Sequence, residues 1–145
     1  MIIHQIFGLM GDTQMNELFT QLIEEYLEYK DLYNSVRFSI MKVDIIRFII
    51  LHKFGGLYAD LDTLPRCDEL KNSTFIVSDP QTNKNKKYEM EVIQSIKGHP
   101  YLLEFLDYVK TQIEEKDKIE VYDKWKCRYV YQTTGPHSLS RFLNS

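Results

Sequence analysis

An α/β domain with a mostly parallel central sheet is the fold class that the sequence predicts. Three observations predict it. The chain has 145 residues, a length that one hydrophobic core can serve. Short β-branched and aromatic runs alternate with segments of helical periodicity. No repeat, low-complexity block or linker interrupts the chain, so residues 1–145 read as one compact domain. Hydrophobic residues make up 43% and charged residues 27%, a globular balance rather than a disordered one.

Each element has a local reason. Ile2, Ile3 and Ile6 open the chain as a short buried strand ending at Phe7-Gly8. Asp12 or Thr13 caps a helix running to about Tyr29, with Leu18, Leu22 and Tyr26 at i, i+4 spacing. Ser39 caps a second helix that runs to Phe54 and stops at Gly55-Gly56, where glycine suits the left-handed position. Leu57 to Leu61 follows as a strand with Leu57, Ala59 and Leu61 on one face. Thr74 to Val77 forms another strand. Pro100 opens a helix whose apolar face is Leu102, Phe105, Leu106, Val109 and Ile113. Tyr129 to Thr133 reads as a strand, and Gly135-Pro136 turns it into a last helix with Leu139, Phe142 and Leu143.

Charge and apolar content narrow the function. A net charge of −3 argues against nucleic acid as the main partner. Lys84, Lys86 and Lys87 form a basic cluster, but among Asn and Gln it reads as a solvated loop. No apolar run approaches the ~20 residues of a membrane span, and Arg47 interrupts the most apolar stretch, Ile45 to Leu51. The start lacks the features of a signal peptide. Cys67 and Cys127 make no disulfide framework and read as small buried hydrophobes. The expectation is a soluble, cytoplasmic protein without an integral membrane segment.

The chemistry concentrates between Val43 and Thr63. Asp44 and Arg47 lie three apart on an otherwise apolar helix and therefore share a face. An intrahelical ion pair is the plain account of them. Tyr58, Asp60 and Asp62 alternate along the strand opposite Leu57, Ala59 and Leu61. Two carboxylates roughly 6.5–7 Å apart crowd one strand end, a costly arrangement unless a cation or donor array balances it. Hard oxygen ligands suit Mg²⁺ or Mn²⁺, often with substrate phosphates completing the shell. Ligands of open α/β sheets bind at the carboxyl ends of strands, where this pair falls. A solvated turn beginning at Asp60 is the alternative.

In spacing, Asp44, Arg47, Gly55, Gly56, Leu57, Tyr58, Asp60 and Asp62 resemble the DXD region of glycosyltransferase family 32, without a gap. That family includes the yeast initiating α-1,6-mannosyltransferase and bacterial capsular sugar transferases. The segment is also similar to the glucosyltransferase domain of large clostridial toxins. Weaker matches follow the family's order: His4-Gln5-Ile6-Phe7, Gly98-His99-Pro100, and Thr134-Gly135-Pro136 with Leu139. Two departures stand out. Only about 35 residues separate the first strand from Asp44, so a second strand is shortened or missing, which makes a homodimer plausible. Relatives also continue into a segment that closes the site. His137 could stand in geometrically for a third metal ligand, although a surface histidine is the plainer reading.

The resemblance implies a reduced GT-A-type, Rossmann-like nucleotide-sugar-binding domain. It also implies a metal-dependent transfer, with retention, from a nucleotide sugar to a carbohydrate or other hydroxyl acceptor. A UDP-sugar is the favoured donor and a GDP-sugar the other. Asp62 would hold Mn²⁺ or Mg²⁺ directly, and Asp60 would bind donor hydroxyls and reach the metal through water. Asp44 and Arg47 would hold nucleotide and sugar, Tyr58 would support the pocket, and Phe7 would stack on the base.

Two rivals remain. Asp60-Leu61-Asp62-Thr63-Leu64 resembles a haloacid-dehalogenase nucleophile loop, but its threonine comes one residue early. A non-catalytic nucleotide-sugar-binding domain is the stronger rival.

Overall fold

The computed structural model describes residues 12–60, 63, 73–78, 87–119 and 125–145. Three helices come first: α1 (Asp12–Glu25), α2 (Leu27–Ser35) and α3 (Ser39–Phe54). Strands β1 (Gly56–Ala59), β2 (Phe75–Ser78) and β3 (Glu89–Ser95) follow. Helices α4 (Pro100–Lys116), α5 (Lys126–Thr133) and α6 (Pro136–Leu143) complete the described chain. The expected first strand at Ile2–Ile6 and the Asp12 side chain lie outside the described residues, as does most of the segment after Asp60.

Helix α3 organises the packing. Ile45, Ile46, Phe48, Ile49, Ile50 and Leu51 are all buried, so this helix is apolar around its whole circumference. Such a helix has to be enclosed. It packs against α1, α2, α4, β1 and β3. Phe48 meets Phe105 of α4 at 4.7 Å between ring centroids. Leu102, Phe105, Leu106 and Val109 are buried, the face expected of α4.

The sheet departs from expectation. Its order is β1-β3-β2, and both pairings are antiparallel. The mostly parallel sheet therefore does not hold among the described residues. The physical reason is β3, which the sequence reading missed. Glu89-Met90-Glu91 and Gln94-Ser95 interrupt its apolar run, yet Met90, Ile93 and Ser95 are buried. Strand β3 enters between the other two and opposes both: Ser95 faces Gly56 on one side and Phe75 on the other.

Two further expectations are corrected. Tyr129 to Thr133 is helical, not a strand, as part of α5. Tyr129 turns its ring inward and donates its hydroxyl to Asp117, while Thr133 bonds back to the Tyr129 carbonyl at 2.8 Å. The aromatic and β-branched run thus reflects burial, not strand geometry. The single helix to Tyr29 is also two, because Tyr26 leaves helical geometry at ψ 58°. Its hydroxyl reaches Nδ1 of His52 on α3 at 2.7 Å.

The passage from α3 to β1 turns on Gly55. Its φ is 66°, in the left-handed region, and its N–H closes the helix on the Leu51 carbonyl at 2.7 Å. A Cβ there would lie 2.6 Å from the Lys97 backbone nitrogen. Gly98 also has positive φ, 74°, but a Cβ there would meet open space. Gly55→Ala should therefore lose more stability than Gly98→Ala, which bears only the left-handed penalty of roughly 1–2 kcal/mol. Thermal melts of both variants check this ordering.

Candidate active site

Asp44 and Arg47 project from the middle of α3, which the surrounding core encloses. They are 8% and 6% exposed, which makes them a buried ion pair rather than a solvated one. Arg47 Nη2 donates to Asp44 Oδ1 at 3.0 Å, and Nη1 donates to the Met90 carbonyl of β3 at 3.1 Å. Asp44 Oδ2 accepts from the Thr134 hydroxyl, in the turn between α5 and α6, at 2.8 Å. Both carboxylate oxygens are thus held in place.

Strand β1 brings in the second half of the site. The Tyr58 ring lies 4.4 Å from the Arg47 guanidinium carbon, a cation–π contact. Its hydroxyl donates to Asp60 Oδ1 at 2.7 Å. Asp60 follows the last residue of β1, and its N–H is fixed by the Glu91 carbonyl at 2.8 Å. The alternation expected along this strand does put Tyr58 and Asp60 together. Asp44, Arg47, Tyr58 and Asp60 form one connected chain of contacts at the carboxyl end of β1. Phe7 and Asp62 lie outside the described residues.

Burial sets the electrostatics. It raises the Asp44 carboxyl to about 6, against the lowering effect of Arg47 and the Thr134 hydrogen bond, with Asp60 adding to the rise. Burial also raises the Tyr58 phenol, opposed by Arg47 and helped by its bond to Asp60. Tyr58 therefore stays protonated and remains a donor to Asp60.

Asp44 also lines a cleft of about 320 Å³, with Ile40, Val130, Tyr131 and Pro136 among its walls. This size is at the small end for ligand pockets. Lys126 lines the same cleft, so its rim carries one cation besides the Asp44 carboxylate. Thr134 is the participant that sequence reasoning left without a role. Its signal in the sequence is the Thr134-Gly135-Pro136 motif. Cys127, read as buried, is exposed among the described residues. The helix is the reason, since the inward side of α5 is taken by Tyr129 and Thr133.

The fit of a divalent cation rests on Asp60. One of its oxygens accepts from Tyr58, which orients the carboxylate, and the other has no partner among the described residues. Among the described residues no three His, Cys, Asp or Glu side chains gather as a metal cluster. A site here would take its shell from Asp60, Asp62 and substrate oxygens, which is the ordinary pattern for Mg²⁺.

The model for the glycosyltransferase sugar-binding region containing the DXD motif matches residues 4–76, half the chain. The protein belongs to this family of DXD glycosyltransferases. Among its relatives is the initiation-specific α-1,6-mannosyltransferase of Candida albicans, 26% identical over 93% of this chain and 31% of that protein. A mannosyl phosphorylinositol ceramide synthase of Saccharomyces cerevisiae is 30% identical over 81% of this chain and 28% of its own length. The chain thus spans less than a third of these relatives. Among solved structures, the PaToxG glycosyltransferase aligns with a TM-score of 0.48 at 18% identity, covering 88% of this chain and 38% of that one.

Two outcomes follow from this geometry. Arg47→Met should destabilise by about 3–5 kcal/mol, because it strands a buried carboxylate. Asp44→Asn, which keeps an oxygen and removes the charge, should cost less; denaturant unfolding compares them. The pH dependence has a definite sign. The Asp44 pKa is raised in the folded protein, so its contribution to stability is full below its unfolded value near 3.8 and is lost as pH rises through about 6. Melts from pH 4 to pH 7 should show this decline flattened in Asp44→Asn.

Proposed function

We propose that this chain is the donor-binding core of a metal-dependent glycosyltransferase that moves a sugar from a nucleotide sugar to a hydroxyl. The observation that carries the reading is the joined constellation of Asp44, Arg47, Tyr58 and Asp60, in a chain of the DXD family. Mannose is the sugar that the relatives' names favour, and an inositol phosphate lipid is one acceptor among those names. The donor is a UDP-sugar or a GDP-sugar.

The residues divide the task among them. Asp60 and Asp62 would hold Mn²⁺ or Mg²⁺, which would supply charge to offset that of the leaving diphosphate. Asp44, with both oxygens fixed but each keeping a free lone pair, accepts from sugar hydroxyls in the cleft it lines. Arg47 fixes Asp44, and its two unassigned N–H groups reach the donor. Tyr58 keeps the Asp60 carboxylate aimed. Phe7 offers a ring for the base.

In the transfer, the bond from the anomeric carbon to the diphosphate oxygen breaks, and its electron pair leaves with the diphosphate. The acceptor oxygen bonds to that carbon on the same face, with retention. The acceptor's proton passes to an oxygen of the departing diphosphate. No protein base is needed for this balance.

The test pairs a melt with nucleotide release from a panel of UDP- and GDP-sugars, with Mn²⁺ or with chelator. Asp62→Asn should lower turnover on the order of 10²–10³, the loss seen when a preorganised charge stabiliser is removed. Its melting temperature should hold or rise, because a repelling charge is gone. Normal turnover in Asp62→Asn, or equal release with chelator, would overturn the assignment. Tight binding without turnover in the wild type would favour the non-catalytic module. Release should also fall below about pH 6 as Asp44 gains its proton, while the Asp44 contribution to stability increases.

A further inference from the structure

Thr133 and Thr134 stand side by side at the end of α5, 0% and 1% exposed, and use their hydroxyls differently. Thr133 bonds back to the Tyr129 carbonyl at 2.8 Å, the habitual local choice of a threonine in a helix. For Thr134 the corresponding acceptor is engaged. The Val130 carbonyl, four residues back, takes the Thr134 N–H at 3.1 Å and the Gly135 N–H at 2.9 Å. The Thr134 hydroxyl instead crosses to Asp44 Oδ2 at 2.8 Å.

Gly135 makes that crossing possible. A Cβ there would lie 2.9 Å from the Tyr131 Cα and 3.0 Å from the Val130 oxygen, so a bare backbone is needed to seat the turn this closely on α5. Pro136 then starts α6 at once, and the Leu139 N–H closes on the Gly135 carbonyl at 3.2 Å. The turn is a short bracket with two tasks. Gly135 and Pro136 wall the cleft that Asp44 lines, and Thr134 grips the Asp44 carboxylate.

That grip fixes a direction. The terminal torsion of an aspartate is broad, and Arg47 holds Oδ1 at 3.0 Å. One anchor would leave the carboxylate plane free to turn about that oxygen. An anchor on each oxygen fixes the plane, and with it the direction of the lone pair that each oxygen retains.

We propose that Thr134 is a positioning residue for the donor's sugar: through Asp44 it sets how tightly the sugar is held, and it leaves the hold on the nucleotide unchanged. This role rests on the reading of Asp44 as the acceptor of sugar hydroxyls. Thr133, as deeply buried but turned to the carbonyls of its own helix, serves α5 alone.

The experiment measures, by calorimetry on the full chain with Mn²⁺, the affinities of GDP-mannose, GDP, UDP-glucose and UDP. The ratio of sugar-nucleotide to bare-nucleotide affinity isolates the contribution of the sugar. Thr134→Val replaces the hydroxyl by a methyl group and should lower that ratio by about tenfold for the donor the wild type prefers, since the lost bond has a charged acceptor. Thr134→Ser keeps the hydroxyl and should hold the ratio within about threefold of wild type. Thr133→Val should melt lower yet keep the wild-type ratio. Should Thr134→Val not fold, Thr134→Ala makes the same measurement; if neither folds, the residue is structural and the proposal falls. An unchanged ratio in folded Thr134→Val, an equal loss in Thr133→Val, or no recovery in Thr134→Ser would overturn the role while leaving the donor reading intact. A wild type that binds none of these probes would refute the donor reading on which the role rests, and that outcome is seen in the unaltered chain, apart from any variant.

Discussion

Burying Asp44 and Arg47 within a helix that is apolar all round is the constraint to which the remainder of the structure answers. Desolvating two charges costs several kcal/mol per ion, and their attraction recovers this only with good geometry and further hydrogen bonds. Three separate elements supply those bonds: β3 through the Met90 carbonyl, β1 through the Tyr58 ring, and the α5–α6 turn through Thr134. An apolar pair of similar volume would serve packing at least as well. The pair therefore has no sufficient explanation in stability, and Asp44 lies on the wall of a cleft, which is what the proposed donor-binding role uses.

The antiparallel strand serves the same end. Strand β3 lies between β1 and β2, so the carboxyl end of β1 is also the entry of β3. The Glu91 carbonyl can then fix the Asp60 backbone while Met90, one residue earlier, takes an Arg47 N–H. Gly55 makes this geometry attainable, because the chain must turn from α3 into β1 against the Lys97 backbone without a side chain. Tyr58 joins the two halves, its face to Arg47 and its hydroxyl to Asp60.

What could be read beforehand divides along a physical line. The α3–β1 unit was legible almost residue by residue, since its helix period, glycine stop and strand alternation are local properties. Joining Asp44 and Arg47 to Tyr58 and Asp60 was legible from spacing and resemblance. The missing strand β3 was not, because its charged residues hide an apolar set that only the pairing with two neighbours buries. Helix α5 was misread for the converse reason: Tyr129, Val130 and Tyr131 have strand-like composition, but Tyr129 is inward-facing and capped by Asp117. Thr134 shows a third limit, for its partner Asp44 is 90 residues away, and no local pattern announces that bond.

The hydrogen bonds of Arg47 also decide what can balance the charge of a nucleotide diphosphate. One N–H goes to Met90, one to Asp44 and a longer one to the Val43 carbonyl, while Tyr58 covers a face of the guanidinium. Two of its five donors have no partner among the described residues. Its positive charge is already matched by Asp44 at 3.0 Å, so the pair adds little net field. That leaves Asp60 with no cationic side chain paired to it among the described residues, where the proposed leaving group would gain charge. A diphosphate would be repelled from such a site unless cations intervene. On the proposed function, a divalent ion held by Asp60 would reverse the sign of the local field. Arg47, its charge already matched by Asp44, cannot take that role alone.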